Sequence, residues 1–244
     1  MSNKNLKTVA DELSDLLALA TPPIGITFSK QMPVGVARYQ GEFPAPTSDG
    51  RTGKVPAGCV FWIKATNRTF TTCAEDHGNC NVGSLTHGFK TLEEAAKGAD
   101  IAALVECKWV SPEVFPQIPV VKERPEYVTY GPLGEATETP DVVLLRINGK
   151  QAMILMDGLP NLRLEGKPQC HIIPIAKENQ QSALSVGCML SRVRTGISSH
   201  EMTCAIPGSQ LNHVLEKLHG AATADRAVAA YAAEDSARFG KYLP

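Results

Sequence analysis

The chain has 244 residues, 43% of them hydrophobic and 20% charged, and its 24 Lys and Arg against 25 Asp and Glu leave a net charge of −1. That is ample apolar material for a sizeable core, while the balanced, scattered charge excludes a polyanion binder and predicts no nucleic-acid partner. No stretch approaches the roughly 20 consecutive apolar residues that span a bilayer, so no membrane association is expected.

The first residues lead into an amphipathic pattern, Leu6, Val9, Ala10, Leu13, Leu16 and Leu17, which predicts a helix over residues 5–20 and not a secretory signal. A cytoplasmic location follows as an expectation. Seven cysteines is an odd number and disulfides are uncommon in that compartment, so burial, metal binding or reactivity must account for the thiols.

Thr21-Pro22-Pro23 stops the helix, and Ile24–Phe28 and Val34–Ala37 are short β-rich runs. Residues 41–58, rich in Gly, Pro and Ser, read as a loop. From Cys59 to Asn67 the apolar spacing suits a short buried helix, although Val-Phe-Trp-Ile also suits a strand; Thr69–Thr72 is extended. Glu75–Gly83 reads as a polar, glycine-punctuated loop, and Thr91 with Glu94 forms a capping box for a short helix ended near Gly98. Residues 112–140 read as an irregular connector with a strand at Tyr127–Tyr130. Asp141–Ile147 is a strand. Asn148-Gly149 suits a hairpin turn or a helix N-cap, and the helix formers of residues 151–156 favour the cap. Residues 170–183 contain a second helix-like Cys segment, Met202–Ile206 is a strand, Ser209–His219 an amphipathic helix, and the Ala-rich residues 221–233 are helical. Interleaved strands and helices indicate an α/β or α+β fold: two pseudo-symmetric halves, residues 1–120 and 121–244, packed as one layered unit.

The halves are suggested by a doubled pattern. Cys59 is followed by Ala65, Asn67 and then Gly78-Asn79-Cys80; Cys170 is followed by Ala176, Asn179 and then Gly187-Cys188. If the halves are related units, the thiols of Cys59, Cys80, Cys170 and Cys188 meet between them. Thiolate sulfur suits Zn²⁺, Cu(I) or iron–sulfur clusters. The spacing lacks the Cys-x-x-Cys of zinc knuckles, whereas cluster ligands need only converge in space, which favours an iron–sulfur cluster of the 4Fe–4S type with zinc as the alternative. Simple core burial is the competing explanation.

His77, three residues before Cys80, is a candidate ligand, proton shuttle or activator of a Cys80 nucleophile. Arg192, just after Cys188, could hold a carboxylate or offset cluster charge, or pair with Glu201 at the surface. Glu75 and Asp76 read as solvated loop carboxylates, and His171 as a core or helix-surface residue. No dinucleotide fingerprint, phosphate loop or Ser/His/Asp signature is present.

The strings Pro56–Trp62, Glu75–Gly83, Tyr130–Leu133, Pro140–Leu144, Gly187-Cys188 and Ala205–Gly208 together resemble the uncharacterised prokaryotic family named domain of unknown function 169, over roughly residues 20–220. The resemblance places family cysteines on Cys59, Cys80 and Cys188, with His77 and Arg192 nearby, and implies no activity. The expected function is a cytoplasmic iron–sulfur protein with a redox or small-molecule-binding role, whose partner is a small molecule or an electron-transfer protein. The alternatives are a non-catalytic ligand-binding module or a zinc- or thiol-dependent enzyme; whether it is an enzyme, and whether it forms a homodimer, stay open.

Overall fold

The computed structural model describes residues 5–41, 43, 52–166 and 168–240. In chain order the regular elements begin with α1 (Leu6–Leu17), β1 (Ile24–Ser29), α2 (Cys59–Lys64), β2 (Phe70–Thr72), α3 (Asn81–Thr86), α4 (Leu92–Ala96), α5 (Ala99–Glu106) and β3 (Tyr127–Pro132). They continue with β4 (Val142–Ile147), α6 (Gly149–Gly158), β5 (Arg163–Glu165), α7 (Ile172–Asn179), β6 (Ala183–Ser185), α8 (Met189–Thr195), β7 (Met202–Pro207) and α9 (Leu211–Phe239). Short 3₁₀ turns join several of them, including Ala74–His77 and Gln169–His171.

The strands form one seven-stranded sheet in the order β2-β3-β1-β4-β7-β6-β5. Every pairing is antiparallel except β5 with β6. The register is set by β4, whose apolar run has no solvent-facing side. Val142 and Leu144 pack into one core with Phe61, Trp62, Ile172 and Ile173, beneath α2 and α7. Val143, Leu145 and Ile147 pack into the other, beneath α1, α6 and α9. A strand buried on both faces needs a layer of helices on each side, which makes the mixed α/β architecture a three-layer one.

Element order recurs across the β1–β4 seam. On one side β1 pairs with β3 and β3 with β2; on the other β4 pairs with β7 and β7 with β6. Pro132 and Pro207 each end the strand beside the seam and open a 3₁₀ turn, with φ and ψ of −57° and 133° in one and −58° and 128° in the other. β3, on the C-terminal side of residue 120, lies between β1 and β2.

Local chemistry explains several helix ends. Thr91 and Glu94 form their capping box, and Asn148 accepts from the Gln151 amide while Gln151 accepts from Asn148, so the 148–149 pair starts a helix and not a hairpin. Gln151 also reaches across to α1, donating from Nε2 to the carbonyls of Leu17 and Ala18 at 3.0 and 2.8 Å. These carbonyls end α1, where Ala18 takes a left-handed φ of 49°.

Some expectations fail. Val34–Ala37 is not a strand: Pro33 and Gly35, the latter at φ +77°, turn the chain, Val34 is fully exposed, and the extended pairing is a single bridge of Arg38 with Thr71. Glu75–Gly83 is not an exposed loop but a 3₁₀ turn leading into α3, with Asp76, His77 and Asn79 buried. α5 was not anticipated, and α7 stops at Asn179 because Gln180 turns left-handed at φ 51°, releasing Ala183 into β6. The expected helices over 209–219 and 221–233 are one helix, α9, whose buried residues end at Ala222. Of the expected loop over 41–58, residues 42 and 44–51 lie outside the described residues. Among the described residues no helix is long and apolar enough to cross a membrane.

Replacing Gln151 by Ala removes a cap for α6 and the partner of two carbonyls at the end of α1. The Leu17 carbonyl is buried and, unsatisfied, carries a desolvation cost, so urea unfolding should show a loss of roughly 1–3 kcal/mol. A variant as stable as the parent would show that water replaces Gln151 without cost.

Candidate functional site

Four of the seven cysteines meet on the α2/α7 side of the sheet. Cys59, Cys80, Cys170 and Cys188 line one cavity of about 30 Å³, walled also by Trp62, Val82 and Trp109. Each thiol sits at the start of a helix. Cys59 is the first residue of α2, Cys80 and Cys188 are the N-caps of α3 and α8, and Cys170 lies in the 3₁₀ turn that runs into α7. The other three lie elsewhere: Cys204 in the core on the opposite face of the sheet, Cys107 exposed, and Cys73 beside Arg38, whose Nη2 stands 2.7 Å from its sulfur.

Polar clamps fix the segments that carry the thiols. Asn79 donates from Nδ2 to the carbonyls of Gly53 and Val55 at 2.8 and 2.6 Å and accepts from the Gly53 amide, tying the approach to Cys59 against the residue before Cys80. This contact needs glycine at 53, since a Cβ there would stand 2.9 Å from the Asn79 nitrogen. Asp100, from α5, accepts from the Asn81 amide and side chain at 3.0 and 2.6 Å and so holds the first residue after Cys80. Gln169 Nε2 donates to Ser191 Oγ at 2.9 Å, joining the Cys170 turn to α8, and Arg194 Nη1 donates to the Asn79 carbonyl at 3.2 Å.

Two buried imidazoles complete the wall, His77 and His87, with ring centroids 5.4 Å apart. Hydrogen bonding assigns both tautomers. Thr72 Oγ1 gives its proton to the Val128 carbonyl, so it accepts from His77 Nε2 at 3.1 Å and leaves Nδ1 a bare acceptor. That Nδ1 faces Gly58, next to Cys59, and has no partner. His87 Nδ1 donates to the Gly83 carbonyl at 2.9 Å, and its Nε2 is likewise buried without a partner. An imidazole whose other nitrogen donates to a backbone carbonyl is oriented as metal-binding histidines are.

The electrostatics favour the neutral forms of Cys59, Cys80, Cys170, His77 and His87. Burial pushes the Cys59 thiol up to about 11, with Cys188 adding to the shift and Ser191 opposing it. Burial pushes Cys80 up to about 12, helped by Cys59. Cys170 is raised by burial and then by Cys80, Cys59 and Cys188, which shows that the thiols sense one another. Burial lowers His77 well below its ordinary value, with His87 contributing, and lowers His87 to about 4. Among the described residues no three or more His, Cys, Asp or Glu side chains are grouped so as to hold a metal ion as they stand.

A family model matches residues 12–217, that of DUF169, described as uncharacterised ArCR. The chain belongs to the DUF169 family. No curated protein and no solved structure matches it.

The remaining candidates of this DUF169 chain fall outside the cavity. Arg192 Nη2 donates to the carbonyls of Val186, Ser199 and Glu201 at 2.8, 3.2 and 3.2 Å, clamping the turn around Gly187, whose φ is +122°. The carboxylate of Glu201 is held instead by Arg146, through two bonds of 2.7 Å. Asp76 is not solvated: it is buried between Lys54 at 2.9 Å and Arg38 at 3.2 Å. His87 was missed by sequence reasoning. Its signal was present, because Cys80 and His87 cap the two ends of α3, two helical turns apart and on one face.

The shifts set a test on the metal-free chain. Raising Cys59 from 9.0 to about 11 cuts its thiolate fraction at pH 8 about a hundredfold, so iodoacetamide should alkylate Cys59 and Cys80 far more slowly than exposed Cys107 until urea is added. The unfolded thiols lose protons first, so their contribution to stability is full below about pH 9 and declines as pH climbs through 11 to 12. His87, depressed from 6.5 to about 4, contributes stability above pH 6.5 that is lost as pH falls toward 4. Cys59 and Cys80 are half-buried, and equal alkylation of them and of Cys107 in folded protein would contradict the raised thiols.

Proposed function

We propose that this DUF169 protein holds an iron–sulfur cluster of the 4Fe–4S type on Cys59, Cys80, Cys170 and Cys188, in a redox or small-molecule-binding role. The observation that carries the reading is the meeting of these four thiols, from four separate helix starts, on one cavity. Burial alone accounts for a single buried cysteine such as Cys204, which packs among aliphatic side chains. It gives no reason for four soft donors to share a cavity with two imidazoles that each present a bare nitrogen.

The donor chemistry suits a thiophilic centre. In the metal-free chain burial and mutual repulsion keep Cys59, Cys80 and Cys170 protonated. A cationic centre held by Cys59, Cys80, Cys170 and Cys188 would invert that balance and favour their thiolate forms, so its binding would release protons. The helix starts behind them are held by Asn79, Asp100 and the Gln169–Ser191 bond. His77 and His87 stand beside the thiols as acceptors for a bound molecule or as substitute ligands.

Protein purified without oxygen should be brown and contain about four iron and four acid-labile sulfide per chain. Serine at 59, 80, 170 or 188 should remove most of the iron, whereas Cys107→Ser should leave it unchanged. Colourless protein with stoichiometric zinc would replace the cluster by a zinc site. Protein with neither metal would overturn the proposal.

A further inference from the structure

The thiol cavity is the innermost of three that adjoin one another. It shares Val82, Leu104, Trp109 and Pro168 with a second cavity of about 70 Å³, lined almost wholly by apolar side chains of α3, α4, α5 and residues 109–118. That bore in turn shares Leu85, Leu92, Phe115 and Ile118 with an outer cavity of about 330 Å³. The charged lining of the outer cavity is Lys90, Lys122 and Arg124; the Glu94 carboxylate, which accepts from the Thr91 amide, interacts with Arg124 and Lys90 and leaves the lining with an excess of positive charge. Lys90 donates to Asn81 Oδ1 at 2.6 Å, while Lys122 and Arg124 are exposed.

Among its described lining residues the bore has one ionisable side chain, that of His171, the residue after Cys170 of the thiol cavity. His171 lines it, with Nδ1 3.5 Å from Glu165 and Nε2 buried without a partner. A carboxylate beside Nδ1 holds the ring with that nitrogen protonated, which leaves Nε2 an acceptor. An apolar cavity with a few placed polar groups is the ordinary form of a small-molecule site. Here the polar groups are separated and differ in kind: the cations line the outer cavity and not the bore, and His171 lines the bore and not the outer cavity.

We infer that this bore binds a short aliphatic carboxylic acid with a hydroxyl at its far end, the carboxylate against Lys90, Lys122 and Arg124, the chain among Leu85, Leu92 and Phe115, and the hydroxyl donating to His171 Nε2. The cationic mouth selects the acid, since long cationic side chains there attract an anion without burying an unpaired charge. The narrow bore selects an unbranched chain. The inner wall is also the outer wall of the thiol cavity, so the far end of the ligand lies next to the cysteine centre.

Titration with hexanoate, 1-hexanol and 6-hydroxyhexanoate tests this on the full chain, followed by calorimetry and by the fluorescence of Trp109 on the shared wall. Hexanoate should bind saturably and at least about fivefold more tightly than hexanol, with the advantage shrinking as salt is raised. The double variant Lys122→Ala/Arg124→Ala should bring hexanoate close to hexanol. His171→Phe should shift the ratio of 6-hydroxyhexanoate to hexanoate affinity by about fivefold toward hexanoate, one hydrogen bond being at stake. Ala96→Trp, at the exposed rim of the bore, should abolish binding of all three without touching the core. Absence of saturable binding, binding indifferent to Ala96→Trp, or a hydroxyl preference indifferent to His171→Phe would each overturn the assignment. Calorimetry reads ligand binding whatever the iron content, so failure there leaves the cluster proposal standing, and the reverse holds.

Discussion

Burial of β4 on both faces is the constraint from which the rest follows. Its five apolar residues alternate between two cores, Val142 and Leu144 to one side, Val143, Leu145 and Ile147 to the other. A slip of one residue would exchange the two sets wholesale, so the register with β1 and β7 is strongly specified. Arg146 is the one β4 residue that is not buried, and Glu201 meets it with a two-bond fork. Because β4 demands cover on both sides, α1, α6 and α9 go to one face and α2 and α7 to the other. The thiols ride on the second layer, with α3 and α8 beside it.

That layer is unusual in what it buries. Apart from Cys204 and the aliphatic residues around it, the opposite core is conventional. The α2/α7 side instead encloses Asp76, His77, Asn79 and His87. Buried polar groups are costly unless they are paired, and most here are: Asn79 with Gly53 and Val55, Asp76 with Lys54 and Arg38, His77 with Thr72. Unpaired atoms on this side include Trp62 Nε1 and Tyr130 Oη, and three imidazole nitrogens on cavity walls, His77 Nδ1, His87 Nε2 and, further out, His171 Nε2. Three bare imidazole nitrogens on the walls of adjoining cavities are positions where a donor on a ligand would find a partner.

Much of the fold was legible in the sequence where its causes are local. The apolar spacing of α1, the alternation-free run of β4 and the capping boxes at Thr91 and Asn148 are each decided within a few residues. Residues 75–83 were not legible, because their Glu, Asp, His and Asn composition has the polarity of a loop. They are inside because partners more than twenty residues away, Gly53, Val55 and Lys54, complete their hydrogen bonds and charges. Arg192 misled in the opposite sense: proximity to Cys188 in sequence suggested a site residue, and the guanidinium turned back onto its own loop.

The sequence by itself singled out Cys59, Cys80, Cys170 and Cys188 from seven cysteines, since spacing repeats and family strings are properties of the chain alone. Only the tertiary structure decided that these four share a cavity while Cys73, Cys107 and Cys204 do not. It also decided that His87 belongs with them and which nitrogen of each imidazole is bare. The physical reason is range. Helix starts and strand periods follow from neighbours in the chain. The meeting of four helix starts depends on a sheet whose central strand pairs residues 24–26 with 142–144, and no local pattern encodes that distance.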